Sequence, residues 1–93
     1  MPSANISVSQ SQGWVLLTSE NVTGSIRIQN WGSEIVLVQA TDGATPPTDD
    51  DGGLRIPPGA TPVGELDEWF PGRTANRLYG RSLFRHTTLS VVW

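Results

Sequence analysis

Three consecutive aspartates are the residues of this sequence best suited to binding a cation. Asp49, Asp50 and Asp51 precede Gly52 in a segment rich in proline and glycine, and carboxylate oxygens on a loop are common calcium ligands. The segment lacks the alternating ligand spacing and the distal glutamate of an EF-hand. We therefore interpret it as a solvated acidic loop, with a cation site as the alternative.

The groups that catalysis requires are few. Glu65, Asp67 and Glu68 could supply a carboxylate pair, but their place beside an apolar i, i+3, i+4 pattern favours a role at a helix N-terminus. His86 is the only histidine and there is no cysteine, which excludes a multi-histidine metal site and a thiol nucleophile. No nucleophile elbow, phosphate loop or dinucleotide motif occurs. We expect no enzymatic activity, no metal and no cofactor.

Arginine recurs every four residues towards the C-terminus, at Arg73, Arg77, Arg81 and Arg85. An even spacing keeps these side chains on one face of a strand. A basic row could contact nucleic acid if Tyr79 or Phe84 provided exposed stacking platforms. The net charge of −3 argues against that use, so we favour a solvated face or a protein interface.

Four tryptophans supply a large aromatic surface for a chain of 93 residues. Trp14 begins an apolar run and Trp69 lies in the apolar pattern of a helical turn, so both are expected to be buried. Trp31 lies in an Asn-Trp-Gly turn and Trp93 ends the chain. We predict that these two are exposed and contribute to an interface.

The elements that must position these residues are short strands separated by turn residues. Alternating or β-branched apolar patterns predict about seven strands, at residues 5–9, 14–17, 26–29, 35–38, 54–56, 78–83 and 87–93. The continuous run at 35–38 predicts a central strand. Leu66, Trp69 and Phe70 predict one helical turn that ends at Pro71 and Gly72. Residues 41–53 predict a projecting loop.

Length and charge set the remaining expectations. A chain of 93 residues forms one all-β domain, 1–93, as a small β-sandwich or barrel. A domain of this size without disulfides gains stability from oligomerisation. The N-terminus has no basic and apolar leader, and no segment approaches about 20 apolar residues, so the chain is expected to be soluble and to start in the cytoplasm.

The order of these segments resembles that of small all-β virion proteins encoded beside the major capsid protein in tailed bacteriophages and gene transfer agents. The resemblance covers most of the chain and follows a pattern of strands and turns. It is carried by GW at 13–14, IRIQN at 26–30, VLVQAT at 36–41, PP at 46–47, GLRIPPG at 53–59, LDEWFPG at 66–72 and LY at 78–79.

This resemblance implies a capsid decoration, or cement, protein on the outer surface of the virion. Its partner would be the major capsid protein, and it would bind as a homotrimer at three-fold and quasi-three-fold positions. The net charge of −3 separately argues against affinity for nucleic acid or anionic membranes. Symmetric assembly would stabilise a domain of this size, and many weak bridging contacts would stabilise the head.

Two alternatives follow from the same residues. The first is a fibre or tail-associated module that binds host-surface carbohydrate. It predicts tryptophans clustered on one exposed face, whereas a decoration protein predicts tryptophans divided between core and contacts. The second is a small nucleic-acid-binding barrel, which predicts a steep loss of binding with salt.

Overall fold

The computed structural model describes residues 3–9, 13–18, 21–22, 24–43, 46–47, 53–71, 75–82 and 85–93. Within them the chain forms eight strands and one helical turn. These elements are β1 (Ser3–Val8), β2 (Val15–Leu16), β3 (Ile26–Asn30), β4 (Val36–Thr41), β5 (Leu54–Ile56), β6 (Val63–Gly64), α1 (Leu66–Trp69), β7 (Arg77–Ser82) and β8 (Thr87–Val92).

The strands form two four-stranded antiparallel sheets. The first sheet has the order β1-β8-β3-β6, and the second has the order β2-β7-β4-β5. In the first sheet, Ser90 of β8 lies opposite Asn5 on one side and Gln29 on the other. The fold is therefore all-β, as predicted, and of the two predicted architectures it is a sandwich of two sheets.

The core lies between the sheets because apolar residues alternate along the strands. In the first sheet, Ile26 and Ile28 of β3 and Leu89 and Val91 of β8 are fully buried. Their neighbours in the sequence point away from the core, since successive side chains of a strand lie on opposite faces. The first sheet thus has one apolar inner face and one outer face.

The fourth strand is buried on both sides, as the continuous apolar run predicted. Val36, Val38 and Ala40 belong to the core between the sheets. Leu37 and Gln39 alternate with them and are also buried. β4 lies between β5 and β7, so a central position in the sheet accounts for its apolar pattern.

The predicted helical turn is also present. Leu66 and Phe70 are buried in the core, and a Cβ atom at Gly64 would meet the indole of Trp69, so this ring packs directly on β6. The backbone N–H of Glu65 donates to Oε1 of Glu68 at 3.0 Å. This bond satisfies a donor at the helix N-terminus, which is the structural role expected of these acids.

Two features of the fold differ from the sequence-based expectations. β6 was not among the seven predicted strands: it has two residues after Pro62, too few to show an alternating pattern, and it forms by pairing with β3. The predicted loop at 41–53 is described only at residues 41–43, 46–47 and 53. Asp49, Asp50 and Asp51 lie outside the described residues.

Candidate binding site

Trp31 is the most exposed large apolar residue in the described part of the chain. It follows β3 and 66% of its surface is accessible. Its backbone N–H donates to the carbonyl oxygen of Thr88 in β8 at 3.0 Å, so the backbone beneath the ring is tied to a central strand. The prediction that Trp31 is exposed is therefore confirmed.

The residue before Trp31 holds this turn through its side chain. Asn30 is 1% exposed, and its Nδ2 donates to the carbonyl oxygens of Glu34 at 2.8 Å and Ile56 at 3.1 Å. Its Oδ1 accepts from the Gly32 N–H at 3.1 Å and from the Thr87 hydroxyl at 3.0 Å. Two donors and two acceptors are the full capacity of an amide side chain.

Gly32 is required on the other side of Trp31. A Cβ atom at this position would overlap the side chain of Thr87, the residue whose hydroxyl bonds to Asn30. The absence of a side chain lets the turn lie directly against β8. Trp31 is therefore presented on a turn with little freedom to move, which lowers the entropy cost of binding through its ring.

A shallow groove of about 280 Å³ lies beside the indole, and its lining is Asn5, Trp31, Thr88 and Ser90. Asn5 belongs to β1, and Thr88 and Ser90 belong to β8. The lining offers an aromatic ring, an amide and two hydroxyls without a charged group. Such a surface suits contacts with polar, uncharged groups or with backbone amides.

The groove continues into the outer face of the first sheet. Its outward residues are Ser3, Asn5 and Ser7 of β1, Thr88, Ser90 and Val92 of β8, Arg27 and Gln29 of β3, and Val63 of β6. Val63 is 63% exposed and lines a second depression with Arg27 and Val92. Trp31 and Val63 thus lie at opposite ends of a face on which Arg27 is the one charged strand residue.

The other tryptophans occupy different environments. Trp93 is 9% exposed and packs in the core, so the prediction that its ring is exposed is wrong. Trp93 follows Leu89 and Val91 at intervals of two residues, so the three side chains lie on the same, inward face. β8 is also a central strand of its sheet. Trp14 and Trp69 are half-buried, less than the burial predicted for them.

Two of the four arginines, Arg77 and Arg81, lie on one face of β7, as their even spacing predicted. Arg77 Nε donates to Oδ1 of Asn21 at 3.0 Å, and the Arg81 guanidinium lies 5.9 Å from the centre of the Trp14 ring, within the range of a cation–π contact. Arg85 is exposed beyond the end of β7, and Arg73 lies outside the described residues. The chain therefore uses Arg77 and Arg81 in contacts on its own second sheet.

The stacking platforms required for a nucleic-acid surface are not available at Tyr79. This residue is 4% exposed, and Phe84 lies outside the described residues. His86 is exposed. Within the ranges given above, no three His, Cys, Asp or Glu residues are grouped so that they could hold a metal ion.

Comparisons with known proteins give no assignment. No protein-family model matches the chain, and no curated protein or solved structure matches it significantly. No helix in the described part of the chain is long and apolar enough to cross a membrane. The functional argument therefore depends on the residues of the site.

Sequence reasoning identified Trp31 but missed the residues that hold and surround it. Asn30 shares the inward phase of Ile26 and Ile28, at i, i+2 and i+4 along β3. That periodicity is a signal for burial of a polar side chain, and buried amides need hydrogen-bond partners. Asn5, Thr88 and Ser90 become neighbours only through the pairing of β1 with β8, which the sequence does not specify.

Proposed function

We propose that this protein is a bacteriophage virion structural protein that decorates the outer surface of the capsid. It binds the major capsid protein through the outer face of the first sheet and stabilises the head. The trimeric arrangement at three-fold and quasi-three-fold positions, which the resemblance implies, is part of this proposal. The mechanism is binding alone and uses no catalytic group.

The observation that carries the proposal is the exposed ring of Trp31 on a rigid turn. Tryptophan is enriched among the residues that dominate protein interfaces. A preorganised side chain loses little conformational entropy when it binds. The face around it carries few charges, as is typical of the centre of a protein interface.

The distribution of tryptophans also favours a decoration protein over a carbohydrate-binding module. Trp93 is in the core, Trp14 and Trp69 are half-buried, and Trp31 is exposed. The decoration hypothesis predicts tryptophans divided between core and contacts in this way. The carbohydrate hypothesis predicts tryptophans clustered on one exposed face.

The proposal is tested by adding the purified protein to capsids that lack it. We expect saturable binding, regular density in cryo-electron micrographs at three-fold positions, and capsids that survive a higher temperature. Because the groove lining is uncharged, the affinity should change little between low and high salt. A steep loss of binding with salt would instead favour contact through the arginines.

Two variants test whether the protein contacts the capsid through Trp31. Trp31→Ala should weaken capsid binding by about 30-fold or more, the effect of removing an interface residue worth at least about 2 kcal/mol. Arg55→Ala is the matched control because Arg55 is exposed on the second sheet, and it should bind like the unmodified protein. Equal binding by both variants would contradict the proposed contact face.

The second candidate function is recognition of a neutral carbohydrate on a fibre or tail. The lining of the Trp31 groove favours it, because an exposed indole stacks on a sugar ring while Asn5, Thr88 and Ser90 can bond to sugar hydroxyls. This candidate predicts binding to neutral glycans on an array, abolished in Trp31→Ala, and no binding to bare capsids. Capsid binding without glycan binding would exclude it.

A further inference from the structure

The two sheets have four edge strands, and three of them are poorly suited to pairing with another chain. β2 and β6 have two residues each. β5 has three residues, includes exposed Arg55 and is followed by Pro57 and Pro58. Short edges, charges and prolines are the means by which proteins prevent edge-to-edge association.

The fourth edge strand lacks these features. β1 (Ser3–Val8) runs for six residues without a charge or a proline. It pairs with β8 along its whole length, and no other described strand pairs with its opposite side. The N–H and C=O groups on that side point outward from the sheet, the orientation that pairing with another strand requires.

The side chains of β1 show that the core is less completely covered at this edge. Val8 is fully buried, whereas Ala4 and Ile6 pack against the core but stay half-buried. A strand added beside β1 would place its own inward residues next to Ala4 and Ile6. Alternate small and apolar residues without charge would suit that position.

We propose that β1 pairs antiparallel with β1 of a second copy of this chain and joins the two first sheets into one. β1 itself has the alternating pattern that a partner strand needs. Its apolar residues Ala4, Ile6 and Val8 alternate with Ser3, Asn5 and Ser7. Neither copy carries a charge in β1 that would repel the other. Association also supplies stability that a domain of 93 residues lacks.

The alternation fixes which registers are possible. Directly opposed residues in an antiparallel pair lie on the same face, and a slip of one residue would exchange the two faces. The two-fold axis therefore passes through a residue and not between two residues, and the longest overlap of the six-residue strands places it at Asn5 or Ile6. In the first register Ala4 lies opposite Ile6, and in the second Ala4 lies opposite Val8, so apolar residues meet on the core side in both.

This pairing goes beyond the proposed function and affects how the Trp31 site is used. Asn5 lines the groove beside Trp31, so two grooves would lie on one face near the junction of the sheets. A pair would then bind a repetitive surface at two points, which raises avidity without new contacts. A pair closed through β1 is a dimer and would replace the trimer of the proposed function as the state in solution, so a trimeric mass would support that trimer and overturn this pairing.

The first test is the mass of the protein in solution together with site-specific crosslinking. We expect twice the 10.1 kDa of one chain by light scattering. The natural chain has no cysteine, so Asn5→Cys and Ile6→Cys each introduce a single thiol. One of the two should form a disulfide-linked dimer on mild oxidation, since residues opposed across an antiparallel pair lie at a suitable Cα separation.

Thr88 provides a matched control, because it lies on the same outer face but not on the edge strand β1. Thr88 lies opposite Ser7 on the adjacent central strand, so two copies of Thr88→Cys would be separated by at least three strand spacings, about 14 Å. Thr88→Cys should not crosslink. A monomeric mass at all soluble concentrations, or crosslinking of Thr88→Cys as fast as the edge variants, would overturn the inference.

Charge variants provide a second test on an exposed residue. Asn5→Lys and Asn5→Asp should each weaken the dimer, because the two like charges would be directly opposed in the first register and diagonal neighbours in the second. Mixing the two variants should restore a dimer that contains one of each. An oligomer that Asn5→Lys leaves intact would show that β1 is not the contact. Trp31→Ala should stay dimeric, so failure of capsid binding and failure of this pairing are separable results.

Discussion

Removal of the Asn30 side chain is the most informative perturbation of the fold. Asn30→Ala would delete four hydrogen bonds, two of them to the Glu34 and Ile56 carbonyls and two from the Gly32 N–H and the Thr87 hydroxyl. The bonds to Ile56 and Thr87 are buried. Each of these two partners would lose its bond to the amide in a place that water does not reach readily.

The expected loss of stability follows from these bonds. A hydrogen bond contributes about 1 kcal/mol net, and a buried group left unsatisfied costs about 1–3 kcal/mol. Four lost bonds at about 1 kcal/mol each give a loss of about 4 kcal/mol before any such penalty is added. Native domains have about 5–15 kcal/mol of total stability, so this single change would remove much of it.

The assay is equilibrium unfolding in urea followed by far-UV circular dichroism. Gln29→Ala is the matched control, because Gln29 is the adjacent residue of β3 on the outer face, and it should change the free energy of unfolding by about 0.5 kcal/mol or less. If Asn30→Ala does not fold, Thr87→Val removes one of the four bonds and should cost about 1–2 kcal/mol. A loss below about 1 kcal/mol for Asn30→Ala would refute the role assigned to this side chain.

Three further predictions concern individual residues of the sandwich. Gly32→Ala should lower the urea midpoint strongly because its Cβ would overlap Thr87, whereas Gly24→Ala, which has open space around it, should have little effect. Trp93→Ala should cost about 3–5 kcal/mol as a core truncation, and Trp31→Ala about 0.5 kcal/mol or less as a surface change, both measured by urea unfolding; equal losses would contradict the burial of Trp93. Ser82→Ala should leave stability unchanged or raise it by up to about 1 kcal/mol, since the buried Ser82 hydroxyl has no hydrogen-bond partner within the described structure; a clear loss of thermal stability would show that the hydroxyl is bonded.

The sequence predicted the strands whose apolar pattern is local. Ile26 and Ile28 alternate along β3, and Val36 to Val38 form the continuous run of a central strand. Both patterns arise from burial of one or two strand faces and are visible without knowledge of the neighbours. The short helical turn was predictable for the same reason, since Leu66 and Phe70 share one face.

The parts that were missed depend on pairing between distant segments. β6 exists because Val63 and Gly64 pair with β3, and the groove exists because β1 pairs with β8. The prediction for Trp93 was wrong because a position at the end of the sequence does not by itself expose a side chain that is in phase with Leu89 and Val91. That phase indicated an inward side chain, but the central position of β8 was not predictable from one sequence.

The measurement that tests the central claim most directly is a titration of capsids lacking this protein with the unmodified chain and with Trp31→Ala, followed by cryo-electron microscopy. The account predicts saturable decoration of the outer surface by the unmodified chain, with the outer face of the first sheet against the shell. It also predicts binding weakened by about 30-fold or more in the variant. Undecorated capsids, or equal decoration by both proteins, would contradict it.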